Sequence, residues 1–128
     1  MMPQWNGEDG EAANFAAEVA DRVGGDAGDM LYFQVVSEIV CACNQPEFMR
    51  TSWTRLQKGH DLLEKEYGVS LMNENYYAAM AVKNQDWSVA DHAFKQIGDN
   101  WYIDVWITHD YFNQMRDQSA QAGPRDAA

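Results

Sequence analysis

Apolar residues recur along most of the chain at helical rather than strand spacing. Ala12, Phe15, Ala16, Val19 and Val23 fall three or four apart and stop at Gly24-Gly25, which predicts a first helix with one core-facing stripe. In the next segment Leu31, Val35, Ile39 and Cys43 form one stripe and Tyr32, Val36 and Val40 a second. An arc this wide predicts a central helix, with Asp26 or Asp29 as its cap. Asn44-Gln45-Pro46 breaks the chain, and Pro46 suits the first position of a third helix carrying Phe48, Met49, Trp53, Leu56, Leu63 and Tyr67 up to Gly68. Gly59 inside that helix costs about 1 kcal/mol relative to Ala, so a kink or a close approach by another helix is expected there.

Ser70 or Asn73 starts a fourth helix, with Met72, Tyr76, Ala79, Met80 and Lys83 along it and Asn84-Gln85-Asp86 as its turn. A fifth begins beside Asp86 and Ser88, with Asp91 in a capping-box position after Ser88, and buries Trp87, Ala90, Phe94 and Ile97 before Gly98. Asp99 or Asn100 caps a sixth, in which Trp101, Val105, Phe112 and Met115 make one stripe widened by Tyr102 and Trp106. The run from Trp101 to Ile107 has strand-like content, but the flanking caps and a length of about eighteen residues favour helix. The stretch 118–128 has little to bury and is expected to be a frayed or disordered tail. The pattern therefore predicts an all-α protein of about six antiparallel helices, in a single helical domain over residues 1–117.

Short turns between helices invite a search for a period. From Asn75 to Ile97, Ala78 and Ala81 line one helix, Asp86-Trp87 makes the turn, and Ala90, Phe94 and Ile97 follow on the next. This resembles the helix-turn-helix unit of a tetratricopeptide repeat: the alanines let the helices approach closely and Phe94 fills the groove toward a third. A thirty-four-residue offset also pairs Trp53 with Trp87 and Tyr67 with Trp101, without repeating the turn, so one good unit has one degenerate neighbour. Trp53 with Gly59, Tyr67-Gly68-Val69-Ser70, the unit from Asn75 to Gly98 and the Val105-Trp106 pair together resemble an uncharacterised bacterial family of tetratricopeptide-repeat-like proteins, a domain of unknown function. Trp5-Asn6-Gly7 followed by Phe15 is similar to the opening segment of the same group, so the resemblance spans most of residues 5–106. It implies an α-α superhelix or helical bundle. It brings no active site, since none is established for such families.

Composition narrows the function classes. The 128 residues hold nine Lys plus Arg against twenty Asp plus Glu, a formal charge of −11. That balance opposes nucleic acid and anionic lipid as partners. The longest apolar run, Ile39 to Cys43, is far short of the roughly 20 residues of a membrane span. The first residues show neither the basic nor the apolar region of a secretory leader, so a cytoplasmic location is expected. Cys41 and Cys43 point about 200° apart on a helix and read as reduced packing residues. Leu is scarce, and Trp, Tyr, Phe and Met take its place in a bulky core.

Catalytic signals are missing. His60, His92 and His109 have no acid three residues before them, and no nucleophile elbow, phosphate loop or dinucleotide fingerprint occurs. His60 and Glu64 share a helix face and are an admissible metal pair, but no third ligand is named by the sequence. Asp91-His92 and His109-Asp110 are neighbours whose side chains diverge on a helix. No catalytic residue, cofactor or metal is expected.

Binding signals are stronger. Trp101, Tyr102, Trp106, Tyr111 and Phe112 crowd the last helix, which no further repeat covers. These rings either pack on the fourth and fifth helices in place of Leu, or present Trp101, Tyr102, Trp106 and Tyr111 to a protein, a peptide or a second copy in a homodimer. Acids also cluster: residues 1–29 hold seven against Arg22 alone, and residues 70–128 hold eight against four bases. The leading expectation is a non-enzymatic, tetratricopeptide-like interaction module. The alternative is a small acidic inhibitor or immunity-type protein that captures a basic partner by charge complementarity.

Overall fold

The computed structural model describes residues 11–38 and 51–127. Among the described residues every regular element is a helix: α1 (Glu11–Val23), α2 (Gly25–Ser37), α3 (Trp53–Tyr67), α4 (Leu71–Lys83), α5 (Trp87–Ile97), α6 (Ile103–Trp106) and α7 (His109–Ala127). The all-α reading holds, and the helix beyond the expected six comes from a break in the last one. Trp5, Gly7, Pro46, Phe48, Met49 and the segment from Ile39 to Cys43 lie outside the described residues. The chain divides into two compact units, one through Gly68 and one from Val69 onward, where the sequence pattern suggests one domain over 1–117.

In the first unit, α1 ends at Gly24, whose φ of 75° reverses the chain directly into α2. The buried face of α1 is Ala13, Ala16 and Ala20, while Phe15 and Val23 are exposed, so the stripe is rotated from the expected one. The cause is close packing. A Cβ on Gly28 of α2 would run into the backbone oxygen of Ala20, so this crossing admits only small residues. Gly59 plays the same part between α2 and α3: a Cβ there would meet the backbone oxygen of Asp29 and come within 3.0 Å of the Phe33 Cβ. Of the two expectations for Gly59, close approach is realised, and α3 runs through it unbroken.

The caps of this unit differ from those expected. Gly24 is the N-cap of α2, without a side-chain bond, and Asp26 and Asp29 both lie inside the helix. Helix α3 starts at Trp53 with Ser52 as N-cap, its hydroxyl accepting from Arg55 N at 3.3 Å. Tyr67, expected in the core, is 77% exposed at the last position before Gly68. Asp29 instead joins α2 to α3. Its carboxylate meets Arg55 Nε at 2.9 Å and Lys58 Nζ at 3.1 Å, and Arg55 Nη1 also reaches Asp21 at 2.9 Å. Burial pushes the Asp29 carboxyl up, but hydrogen bonds and charge from Arg55 and Lys58 outweigh it and hold the group below its ordinary 3.8.

In the second unit, α4 and α5 form a hairpin. Ser70 caps α4 by accepting from Asn73 N at 3.2 Å, and Asp86 caps α5 by accepting from Val89 N. The cap is thus Asp86, not Ser88, and Asp91 pairs with Lys95 at 3.0 Å rather than closing a capping box. Ala78, Ala81 and Ala90 are all fully buried, as the close-approach argument requires. Met72, placed in the core by spacing, is 46% exposed, because α4 buries the arc of Asn75, Tyr77 and Ala78 through Val82. Phe94 is the centre of a ring cluster, 5.2 Å from Trp106 and 5.4 Å from Phe112. Helix α7 continues past 118, where the frayed tail was expected to begin. Ser119 is buried and its hydroxyl donates to Met115 O at 2.8 Å.

Candidate functional site

The most unusual backbone of the second unit lies where the expected sixth helix breaks, and its cause is a single side chain on α4. Asn75 is fully buried. Its Nδ2 donates to Leu71 O at 2.8 Å and Asn100 O at 3.0 Å, while its Oδ1 accepts from Tyr102 N at 3.1 Å and Trp106 Nε1 at 3.0 Å. Both amide donors and both acceptor directions are thereby used. The segment 100–106 is pinned to the start of α4.

Held this way, α6 is a single turn that closes with Ile107 N donating to Ile103 O at 2.8 Å. The chain then turns back at once: Ile107 has φ 73° and ψ −50°, and Thr108 N donates to Trp106 O at 2.8 Å. This is a γ-turn of the rare positive-φ kind, centred on a β-branched residue. Thr108 Oγ1 accepts from Tyr111 N at 3.1 Å and starts α7. The break has a packing reason. On a continuous helix Trp106 and Phe112 would point about 120° apart, whereas the turn brings both rings against Phe94 and within 5.5 Å of each other.

The aromatic candidates separate accordingly. Trp106 is 1% exposed and belongs to the core, so it presents no surface. Trp101 is half-buried and stacks on His109 at 4.8 Å. Tyr111 is half-buried beside Trp106 at 5.9 Å, and burial pushes its phenol above the ordinary 10.0. Tyr102 is the candidate that faces solvent. It stands with Ile103, 62% exposed, and Ile107, 48% exposed, neither singled out from the sequence. Leu71 and Met72, at the start of α4, are exposed as well, and Leu71 O and Tyr102 N bond the same Asn75 amide. The available signal was position: Ile103 lies about 200° from Trp101 on a helix, on what should be the polar side of an amphipathic element.

In the first unit, His60 and Glu64 do face each other, with His60 Nε2 at 3.7 Å from Glu64 Oε1. The His60 ring is buried, packs edge-on against Phe33 at 5.7 Å, and has Nδ1 3.0 Å from Asp61 Oδ1. No family model, curated protein or solved structure matches the chain. The functional reading therefore rests on the geometry of the residues themselves.

Proposed function

We propose that the chain is a non-catalytic helical module that binds another protein through the corner formed by α6 and the start of α4. The observation that carries this is Ile107. A non-Gly residue in such a conformation costs about 1–3 kcal/mol, and here the strained residue leaves its own apolar side chain half exposed, a few positions after the exposed Tyr102 and Ile103. Folding alone would be served better by Gly at 107 and polar residues at 102 and 103. Exposed apolar side chains close together in sequence, on a strained turn anchored by Asn75, suit a surface completed by a partner. The α4–α5 hairpin, with its buried alanines and Phe94, supports the tetratricopeptide-like character of this unit. An acidic inhibitor gains less support, because Asp21, Asp26 and Asp29 already face Arg55 and Lys58.

The test is a titration of the isotope-labelled protein with synthetic amphipathic helical peptides, followed by backbone amide shifts. Binding by this corner shifts Leu71, Met72 and residues 102–108 together, and Ile103→Asp with Ile107→Asp abolishes the shifts while the fold persists. Saturable binding elsewhere, or none by any peptide, would refute the reading.

A further inference from the structure

We infer that the partner recognised by this corner is a basic amphipathic helix, an apolar ridge flanked by Lys or Arg; the inference rests on the proposed role of the corner. Two properties of the surface point to it. The first is its apolar content: Tyr102, Ile103 and Ile107 lie within six positions, and the Asn75 amide ties them to the start of α4 with its exposed Leu71 and Met72. Exposed branched, thioether and aromatic side chains receive the i, i+3, i+4 ridge of a helix better than a flat polar strand.

The second property is charge. Asp104 and Asp110, both exposed, lie within three positions of Ile103 or Ile107 in sequence, with exposed Asp99 three positions before Tyr102, and the sequence from 99 to 115 holds no Lys or Arg. Nearby cations are committed elsewhere: Lys95 to Asp91, and Arg116 to Gly98 O, Asn113 and, at 3.8 Å, Asp99. A partner that covers residues 102–107 meets exposed carboxylates of the same short segment, where charge sets specificity and association rate. The same argument opposes a second copy of the chain. Two chains of charge −11 would set these carboxylates against each other. Nucleic acid is opposed on the same ground.

Three probes share one apolar face of Leu at i, i+3, i+4 and i+7 and differ only in flanking residues: Lys, Gln or Glu. Binding is followed by fluorescence anisotropy at low and at moderate salt, with amide shifts to report the site. The Lys-flanked probe should bind about tenfold or more tighter than the Gln-flanked one and the Glu-flanked probe weakest, with the preference shrinking as salt is added. Asp104→Asn and Asp110→Asn, both at exposed positions, should each reduce the Lys preference by about two- to fivefold while leaving the Gln-flanked probe unchanged. Equal binding of all three probes at residues 102–108 would overturn the inference and leave the interaction surface standing. Binding of the Lys probe that shifts only other residues, or no binding by any probe, would remove both. A concentration-dependent dimer that masks these residues would replace the basic partner with a second copy.

Discussion

In the first unit the helices meet backbone to backbone: Ala20 of α1 lies against Gly28 of α2, and Asp29 and Phe33 of α2 lie over Gly59 of α3. In the second unit rings meet instead, Phe94 against Trp106 and Phe112, with one amide, Asn75, buried beside them. The polar chemistry is placed oppositely. Arg55, Lys58 and Asp29 bridge helices from positions that water still reaches, whereas Asn75 is fully buried. The first unit is thus most sensitive to added volume, and the second to the loss of a single hydrogen-bonding group. The strained turn belongs to the second kind, since the Asn75 amide and the packing of Trp106 and Phe112 on Phe94 hold it together.

The largest effect is expected at Asn75. Asn75→Leu preserves approximate volume but leaves the Trp106 indole N–H and the Tyr102 N–H unpaired, a loss of about 3 kcal/mol. Urea unfolding followed by tryptophan fluorescence measures it, and a loss near zero would show that the amide does not organise the corner. Gly59→Ala comes next. Helix propensity favours Ala by about 1 kcal/mol, but the added Cβ collides with backbone, so a net loss of about 2 kcal/mol is expected. A stabilised variant would mean that α2 and α3 are not in backbone contact there.

Ile107→Gly runs the other way and should raise stability by about 1 kcal/mol, since it relieves the turn. A thermal scan that shows destabilisation instead would contradict strain at 107. The smallest effect is at Asp29, where Asp29→Asn should cost under about 1 kcal/mol at neutral pH. Because the folded-state carboxyl is held below 3.8, its stabilising effect is complete above that value and is lost as pH falls through the folded-state titration. The variant and the parent should therefore converge as pH falls below the folded-state titration of Asp29. A gap unchanged at low pH would assign the effect to shape rather than charge.

Local chemistry was readable and tertiary chemistry was not. Ser70, Gly68, Asp86 and Gly98 mark helix ends because a cap or a reversal depends on a few adjacent residues, and the alanines of the α4–α5 hairpin announce close approach through their size. The break at Ile107 could not be read, because its cause is Asn75, 31 residues before Trp106, and nothing about Ile in sequence favours a positive φ. The same distance hid the exposed isoleucines. Aromatic crowding drew attention to Trp101, Tyr102, Trp106 and Tyr111, yet which rings face inward depends on that turn. Spacing alone suits Asp29 to a cap for a similar reason: its partners, Arg55 and Lys58, sit a helix away.

The Asn75 amide also sets an order of events during synthesis. A chain that has emerged only as far as Ile97 already has the alanines, the turn and Phe94 needed for the α4–α5 hairpin, but of the four bonds made by Asn75 it can form only the one to Leu71 O. The remaining bonds wait for Asn100, Tyr102 and Trp106. Until then a polar group sits where the finished protein is dry, so the hairpin remains provisional. The arrival of that short turn, followed by Phe112 of α7 against Phe94, completes the hairpin's packing and leaves Ile103 and Ile107 facing outward.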